Sequence, residues 1–456
     1  MKQADTPPRK KIKKEEGEEE EEEEEEEDWG DSDFLSFSSA PSPKGGSKRR
    51  ECIVAGASDS AGPARPDGRE APWNVVSLKA RPKTQHPLLE LHNEIIRFTA
   101  LMEPRKEEVK AREDLVDRLR DLVGRIFDAG RRPEIKVFGS QATGLFLPTS
   151  DIDLVLMLDR TKAGRANTSK AAGKSSREES KEKEDREMVE FDAAAPVNGD
   201  RDPLLVLADA LRLEWGLELT YLEVVSRTRV PIVKFTHGPS GLSVDICLNQ
   251  DTGPKAADLV LEFSKALPPF RPLTFVLKYF LAARGLNEPY SGGVGSFLLQ
   301  MMIVSFLQHR EREEYRAIGK PSECNLGALL LEFLELYGID FNYCTTGISV
   351  RHDGKYFPKG HPSRRLNFLH PRDGRLLAVE NPFEPTMDVG QSSFKIWLVQ
   401  RAFEVAVRVL MSMVSKPFEV PSGGSILASI LPPSEEMWKR KSMHSLRRPA
   451  KRRKKK

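Results

Sequence analysis

The sequence predicts an α+β protein, in which a mixed sheet with helices forms a first domain and a mainly helical domain follows it. Short strand-like apolar segments alternate with helical segments between residues 105 and 250, and apolar runs at helical spacing dominate residues 251–416. Neither end of the chain shows an apolar period. We therefore expect ordered structure in the middle of the chain and a tail at each end.

The charge is segregated along the chain. Charged residues make up 31% of the sequence, yet the formal net charge is only +2, because a glutamate-rich run (Glu15–Glu27) offsets a lysine-rich end. Residues 1–84 are poor in apolar positions, and we predict a disordered acidic and basic tail there. For the same reason we predict a disordered insertion at residues 160–200 and a disordered basic tail at residues 417–456.

The cysteines and the hydropathy exclude several classes of protein. Four widely separated cysteines show no paired metal-ligand spacing, which excludes a zinc finger and a disulfide framework: Cys52, Cys247, Cys324 and Cys344. No apolar stretch approaches the length of a membrane span, and the N-terminus does not have the pattern of a signal peptide. We expect a soluble intracellular protein without a membrane partner.

The helices and strands of the middle region are predicted from their apolar spacing and turn residues. A first helix lies within residues 85–104 and ends at Pro104, and a longer helix covers residues 109–126. Strands, a helix and a hairpin turn complete the first domain: strands 135–138 and 152–158, helix 204–213, strands 221–225 and 230–235, turn 237–241 and strand 242–248. Helices follow at the apolar runs 273–281, 297–307, 326–336 and 394–410.

Three aspartates are the strongest candidates for chemistry. Asp151 and Asp153 flank Ile152 on a strand, and because side chains alternate, both carboxylates lie on one face. Alone this pattern is most often a solvated strand end. Asp245, however, lies inside a second apolar strand, where a carboxylate needs a basic partner or a metal. Oxygen ligands of this kind are those that Mg²⁺ or Mn²⁺ prefers.

Gly139 and Ser140 end the strand before this pair, where a glycine lets backbone N–H groups approach a phosphate. The segment lacks the Gly-Lys-Ser/Thr ending of a Walker loop, which excludes that class of NTPase. In-line nucleotidyl transfer needs two divalent ions, one at the attacking hydroxyl and one at the leaving pyrophosphate. We assign Asp151 and Asp153 to both ions and Asp245 to the hydroxyl-side ion.

The segment Val137–Leu154, which contains Gly139, Ser140 and the Asp151/Asp153 pair, resembles the signature of the DNA polymerase β-like nucleotidyltransferases and specifically of Trf-type nuclear poly(A) polymerases. The resemblance continues through four further segments and covers about residues 87–414: 255–259, 276–280, 286–297 and 334–343, with 380–394 similar to the nucleotide recognition motif of the family. It implies a nucleotidyltransferase catalytic domain at 105–250, a helical central, PAP-associated domain at 251–416, and a first helix that packs on the central domain.

The resemblance also implies the nucleotide contacts. Lys278 contacts the triphosphate, Ser296 and Phe297 lie against the incoming nucleotide, and Asn381 and Asp388 belong to the recognition motif. Phe297 replaces a tyrosine of the relatives, so base stacking is kept while the hydroxyl is lost. Where uridine-selective relatives carry a histidine, this sequence has Met387. ATP is therefore the expected substrate, with two Mg²⁺ or Mn²⁺ ions.

The same resemblance implies the partners and the cellular location. We expect RNA 3′ ends as substrate, a zinc-knuckle RNA-binding protein and a DExH helicase in a TRAMP-like complex, and the nuclear exosome as the acceptor of the tailed RNA. Basic clusters at residues 9–14, 48–50 and 451–456 fit nuclear import or RNA contact, in the nucleus or its nucleolus. A terminal uridylyltransferase, a DNA polymerase and a catalytically silent RNA-binding scaffold remain alternatives.

Overall fold

The structure is a computed structural model that describes residues 71–73, 86–127, 132–158, 201–226, 230–310, 325–360, 368, 374–415 and 425–446. The predicted insertion at 160–200 and the basic clusters lie outside these residues. Within them, no helix has the length and apolar character needed to cross a membrane.

Helices make up most of the described structure. Some begin at a residue whose side chain accepts from a free backbone N–H, such as Asp202, which accepts from Leu204 N at 3.0 Å just before Pro203. In chain order they are α1 (Pro87–Met102), α2 (Lys106–Ile126), α3 (Gly139–Thr143), α4 (Pro203–Trp215), α5 (Thr252–Ala266), α6 (Phe270–Ala282), α7 (Ser296–His309), α8 (Leu326–Glu335), α9 (Ile396–Ser415) and α10 (Glu435–Leu446). A π-helical turn, Leu336–Asp340, continues α8.

The first domain contains a five-stranded mixed sheet. Its strands are β1 (Glu134–Phe138), β2 (Ile152–Met157), β3 (Leu219–Val225), β4 (Ile232–His237) and β5 (Leu242–Leu248). The strand order is β1-β2-β5-β4-β3, with β2 and β5 parallel and the other neighbours antiparallel. Buried residues of α2 and α4 form one apolar core with this sheet. The parallel pair at the centre brings together residues that lie more than ninety positions apart in the sequence.

The second domain is mainly helical and has its own core. Apolar residues of α6, α7, α8 and α9 form it, and α1 contributes Leu91, Ile95 and Phe98. A small three-stranded sheet that was not predicted also belongs to this domain: β6 (Thr346–Ser349), β7 (Lys355–Pro358) and β8 (Ala378–Val379). The predicted α+β fold with a mixed sheet and a second helical domain is confirmed.

The predicted tails need correction at two places. Trp73 is 1% exposed and packs edge-on against Phe98 at 5.3 Å between ring centroids, although residues 1–84 were predicted to be a tail. Residues 425–446 contain α10, with Met437 and Arg440 buried, although 417–456 were predicted to be a tail. Both segments pack on α1 and its surroundings: Trp73 Nε1 donates to Ser425 Oγ, and Arg440 donates to Leu101 O. Both segments are polar overall, and a few buried residues nevertheless attach them to the helical domain.

Candidate active site

Three carboxylates lie on neighbouring strands at the centre of the sheet. Asp153 on β2 is directly opposite Asp245 on β5, and Asp151 immediately precedes β2. The next residue in the same cross-strand row is Lys234 on β4, which is opposite Asp245. The register of the sheet thus brings together the acids that the alternating pattern placed on one face of each strand.

Lys234 forms ion pairs with two of these aspartates. Its Nζ lies 3.0 Å from Asp151 Oδ2 and 3.1 Å from Asp245 Oδ1, and it donates to Asp245 Oδ2 at 3.2 Å. The Lys234 side chain is 34% exposed and that of Asp245 is 23% exposed. The pairs are therefore only partly screened by water, and they are stronger than ion pairs on an open surface.

Gly139 lies directly against Asp153. Its φ is +62°, and a Cβ placed on it would stand 2.1 Å from Asp153 Oδ2. The residue is the first of α3, the short helix that links β1 to the segment before Asp151. A glycine is therefore needed at position 139 for a structural reason as well as for the predicted approach of a phosphate, because any side chain there would displace the Asp153 carboxylate.

Burial and mutual repulsion disfavour the charged forms of the central acids. Burial, and then the charges of Asp245 and Asp151, raise the pKa of Asp153 to about 7. Burial likewise raises the pKa of Asp245 against the opposing charge of Lys234. Burial lowers the pKa of Lys234, but the hydrogen bond to Asp151 and the charges of both aspartates outweigh it, so that the pKa is raised. The acids are crowded, and extra positive charge would stabilise their ionised forms.

These residues fit a divalent cation in their donor chemistry. All three donors are carboxylates, and the buried Asp245 Oδ1 has the Lys234 ammonium 3.1 Å away but accepts no hydrogen bond of good geometry. As the side chains stand, no three His, Cys, Asp or Glu residues in the described ranges are arranged as ready metal ligands. The ammonium of Lys234 lies between two of them. The site therefore offers carboxylate oxygens of the kind that Mg²⁺ or Mn²⁺ prefers, and two of its three carboxylates, Asp151 and Asp245, are paired with Lys234.

Lys278 reaches this region from the helical domain. It lies on α6, is 7% exposed, and its Nζ donates to Leu145 O at 2.9 Å. Burial lowers its pKa to about 8, against the favourable charge of Asp153. Lys278 thus lies within electrostatic reach of Asp153, and its contact with the triphosphate stays a prediction.

Ser140 lies on α3, and Ser296 and Phe297 lie on α7. Ser140 is the second residue of α3, and its carbonyl accepts from Leu145 N at 3.0 Å. Ser296 begins α7 and is exposed, and Phe297 is half-buried against the helical core. The loop before α7 carries Glu288, whose pKa is raised by burial and by the negative charge of Asp151. Glu288 therefore lies within electrostatic reach of Asp151, and the contact of Ser296 and Phe297 with a nucleotide stays a prediction.

Asn381 and Asp388 shape the loop of the nucleotide recognition motif. Asn381 Oδ1 accepts from Phe383 N at 2.9 Å, and Asp388 Oδ1 accepts from Val379 N at 2.8 Å and from Gly390 N at 2.7 Å. A main-chain bond from Lys395 N to Gly292 O (2.9 Å) joins the segment after this loop to the loop of Glu288. Both side chains hold the loop in shape, and their contact with a nucleotide stays a prediction.

Three residues near the carboxylates were not predicted. Lys234 resembles an ordinary strand lysine, and only the pairing of β4 with β5 reveals its position. Glu288 lies in a loop of the other domain. Arg112 on α2 is 1% exposed, lies 4.3 Å from the centre of the Phe146 ring and donates to Ser150 O at 2.6 Å, the residue before Asp151. The sequence offered one sign of Arg112, because this charged residue lies on the face of α2 that is otherwise apolar and buried.

Two family models and several curated proteins are similar to this chain. A family model described as poly(A) RNA polymerase, mitochondrial-like, central palm domain, matches residues 91–265, and one described as Cid1 family poly A polymerase matches residues 325–387. The chain is 31% identical over 349 residues to poly(A) RNA polymerase cid14 of Schizosaccharomyces pombe, which covers 76% of this chain and 43% of that protein.

It is also 31% identical over 343 residues to Trf4-2 of Drosophila melanogaster, across 75% of this chain and 73% of that protein. The chain belongs to the Trf4 and Cid1 family of poly(A) RNA polymerases. The predicted resemblance to Trf-type enzymes is thereby confirmed, and relatives of the chain are named poly(A) RNA polymerases, which are nucleotidyltransferases. Trf4-2 itself is named as an inactive member, so membership in the family leaves activity to be argued from the site.

Solved structures agree with the family. The polymerase core of TRAMP, an RNA surveillance complex, has a TM-score of 0.62 and 28% identity, with 80% of this chain and 100% of that chain covered. The Cid1 poly(U) polymerase with MgGTP has a TM-score of 0.54 at 18% identity, with 76% and 99% covered, and shows the fold alone. The chain spans 43%, 39% and 47% of the length of three of its fungal relatives.

Proposed function

We propose that the chain is a template-independent poly(A) RNA polymerase that adds AMP from ATP to RNA 3′ ends. The observation that carries the proposal is the convergence of Asp151, Asp153 and Asp245 at the centre of the sheet, against Gly139, in a chain of this family. The silent relative Trf4-2 makes a scaffold the second candidate. The crowded carboxylates favour the enzyme, because acids held at such electrostatic cost point to a bound cation.

The residues of the site divide the work of nucleotidyl transfer between them. When bound, two Mg²⁺ or Mn²⁺ ions held by Asp151, Asp153 and Asp245 would activate the 3′-hydroxyl and neutralise the leaving pyrophosphate. Lys278 and the backbone at Gly139–Ser140 hold the triphosphate, and Phe297 stacks on the base. Arg112 fixes the Ser150 carbonyl and so orients the aspartate that follows it. The terminal 3′-hydroxyl gives its proton to solvent and its oxygen bonds to the α-phosphorus, while the bond from the α-phosphorus to the bridging oxygen breaks and pyrophosphate leaves.

A primer-extension assay tests the proposal directly. The purified chain is given a short RNA with each NTP in turn, and with dNTPs, in Mg²⁺ or Mn²⁺, beside an Asp153→Asn control. We expect efficient extension with ATP and none with the control. Extension mainly with UTP would replace the proposal with the uridylyltransferase alternative, and extension mainly with dNTPs would replace it with the DNA polymerase. No extension under any condition would favour the scaffold.

We propose further that the chain acts in the nucleus or nucleolus, tagging RNAs for the exosome together with a zinc-knuckle RNA-binding protein and a DExH helicase. The similarity to the TRAMP polymerase core supports this assembly. Lys/Arg contacts to phosphates weaken steeply as salt rises, so a chain that relies on them needs help at physiological salt. Tail lengths made with and without the zinc-knuckle protein test this dependence. Equal, efficient tailing by both would show that the chain binds RNA sufficiently alone.

A further inference from the structure

Lys234 occupies the position of a cation within the acidic site. Its Nζ is within 3.2 Å of oxygens of both Asp151 and Asp245, which belong to different strands. Two other cations nearby are engaged with carbonyl oxygens: Lys278 donates to Leu145 O and Arg112 to Ser150 O. Lys234 is thus the ammonium that bridges these two carboxylates in this arrangement.

A third carboxylate, that of Glu223, lies on the other side of Lys234. In the register of the sheet Lys234 is opposite Glu223 on β3 as well as opposite Asp245 on β5. Glu223 is exposed and accepts from the hydroxyl of Tyr221 on the same strand. A lysine stem has four flexible carbons, so its ammonium can move from one cross-strand neighbour to the other without a change in the backbone.

A divalent ion and this ammonium compete for the same oxygens. Asp151 and Asp245 cannot coordinate an ion closely while Lys234 Nζ stands within hydrogen-bond distance of both, because the two cations would repel each other at that separation. Loss of the ammonium would leave three crowded carboxylates without this partner. The lysine therefore stabilises the site in the absence of metal and opposes the binding of metal.

We propose that Lys234 is an exchangeable counter-ion, which neutralises Asp151 and Asp245 in the metal-free protein and moves toward Glu223 when a divalent ion binds. This inference rests on the proposed two-metal function. It makes Lys234 a positioning residue that holds the ligands together in advance and sets the metal affinity. Its role is distinct from that of Lys278, which faces Leu145.

The test measures metal binding to the whole 456-residue chain. Mn²⁺ affinity is determined by calorimetry, without nucleotide or RNA, for the wild type, for Lys234→Met and for Lys136→Met. Lys136 is a matched control, because it lies on the edge strand β1 of the same sheet and pairs with Glu134. We expect Mn²⁺ to bind about tenfold more tightly to Lys234→Met, within the range typical of coupled ligands, and unchanged to Lys136→Met.

Unfolding temperatures supply a second readout. In EDTA, Lys234→Met should unfold at a lower temperature than the wild type, and Mn²⁺ should raise its unfolding temperature by more than it raises that of the wild type. Equal or weaker Mn²⁺ affinity in Lys234→Met would overturn the counter-ion role. The proposed polymerase activity would stand in that case, provided that the wild type binds Mn²⁺. Absence of Mn²⁺ binding to the wild type would overturn both.

A crystal structure of the wild type with Mn²⁺ tests the movement itself and does not depend on the folding of a variant. We expect Lys234 Nζ to leave Asp151 Oδ2 and to approach the Glu223 carboxylate. Bound Mn²⁺ at Asp151 and Asp245, with the 3.0 Å contact between Lys234 Nζ and Asp151 Oδ2 retained, would contradict the exchange.

Discussion

Gly139 and Asp153 are packed so closely that the Cα of the glycine forms one wall of the space occupied by the carboxylate. A Cβ at position 139 would stand 2.1 Å from Asp153 Oδ2 and 2.9 Å from Asp153 Cγ, distances that real Cβ atoms do not adopt. The positive φ of +62° adds a second reason for glycine. The position of the Asp153 carboxylate on β2 therefore requires a glycine at position 139, in the turn after β1.

Gly139→Ala should consequently displace the Asp153 carboxylate. We expect nucleotide addition to fall by about 100-fold or more, since a misplacement of about 1 Å in a catalytic group has effects of this size. The positive φ costs a further 1–2 kcal/mol, roughly, of folding stability. Gly241→Ala is the control, because Gly241 has φ +67° and open space around its Cα. It should share the loss of stability and keep its activity; equal activity losses in both variants would point to strain alone.

Asp153→Asn should remove activity without unfolding the protein. The amide keeps the shape of the side chain but supplies a poor metal ligand, so we expect addition to fall by more than about 1000-fold. The free energy of unfolding at pH 8 should stay equal or rise, because the pKa of Asp153 is raised to about 7 by burial and by neighbouring acids. Chemical denaturation and primer extension measure the two effects. An active Asp153→Asn variant with a native fold would contradict the assigned chemistry.

The sequence alone predicts that the three aspartates lie on one face of their strands, but it does not predict the residues that surround them. Alternation along β2 and β5 predicts that Asp151, Asp153 and Asp245 face one side, and the parallel pairing of these strands then brings them together. Lys234 and Glu288 could not be found in this way, because their positions depend on strand order and on the packing between domains. Nothing in a local pattern carries that information.

Local sequence patterns also failed to predict the buried residues within the segments that were predicted to be tails. Trp73 lies in a short stretch with the apolar neighbours Ala71, Val75, Val76 and Leu78, which is too short to show a sustained helical or strand period. It is nevertheless 1% exposed and hydrogen-bonded to Ser425. Trp73→Ala should lower the free energy of unfolding by about 3–5 kcal/mol, the usual cost of truncating a buried aromatic residue. Trp397, which is 61% exposed, is the matched control, and Trp397→Ala should cost much less. Similar unfolding midpoints in urea for both variants would mean that Trp73 contributes no packing.

Glu94 should make stability depend on pH. It is 0% exposed, and burial raises its pKa to about 7 against hydrogen bonds from Leu427 N and Ser425 Oγ. Between the unfolded value near 4.5 and about 7 the folded state holds the extra proton, so this group lowers stability as pH rises through that window. Glu94→Gln keeps an oxygen acceptor and removes the charge. It should match the wild type near pH 4 and be more stable at pH 8.

Unfolding temperatures from pH 4 to pH 8 measure this difference, with the exposed Glu113→Gln as a control for the loss of one carboxylate. The gap between Glu94→Gln and the wild type should open across the window, while the gap for Glu113→Gln should stay small. A constant gap for Glu94→Gln would show that the carboxyl group keeps one protonation state throughout.

Met387 should determine which base is preferred. Its main chain closes the recognition loop, donating to Glu384 O at 2.8 Å and accepting from Asn381 N at 3.0 Å, so a substitution of the side chain leaves these bonds in place. We expect the wild type to prefer ATP to UTP. Met387→His should raise the ratio of UTP to ATP incorporation by about tenfold, because a histidine at this position can form a hydrogen bond with a base and a methionine cannot. Met387→Leu, an apolar control of similar volume, should keep the preference for ATP. Single-nucleotide incorporation at equal NTP concentrations measures the ratio, and an unchanged ratio in Met387→His would show that the base is selected by other residues of the loop or by Phe297.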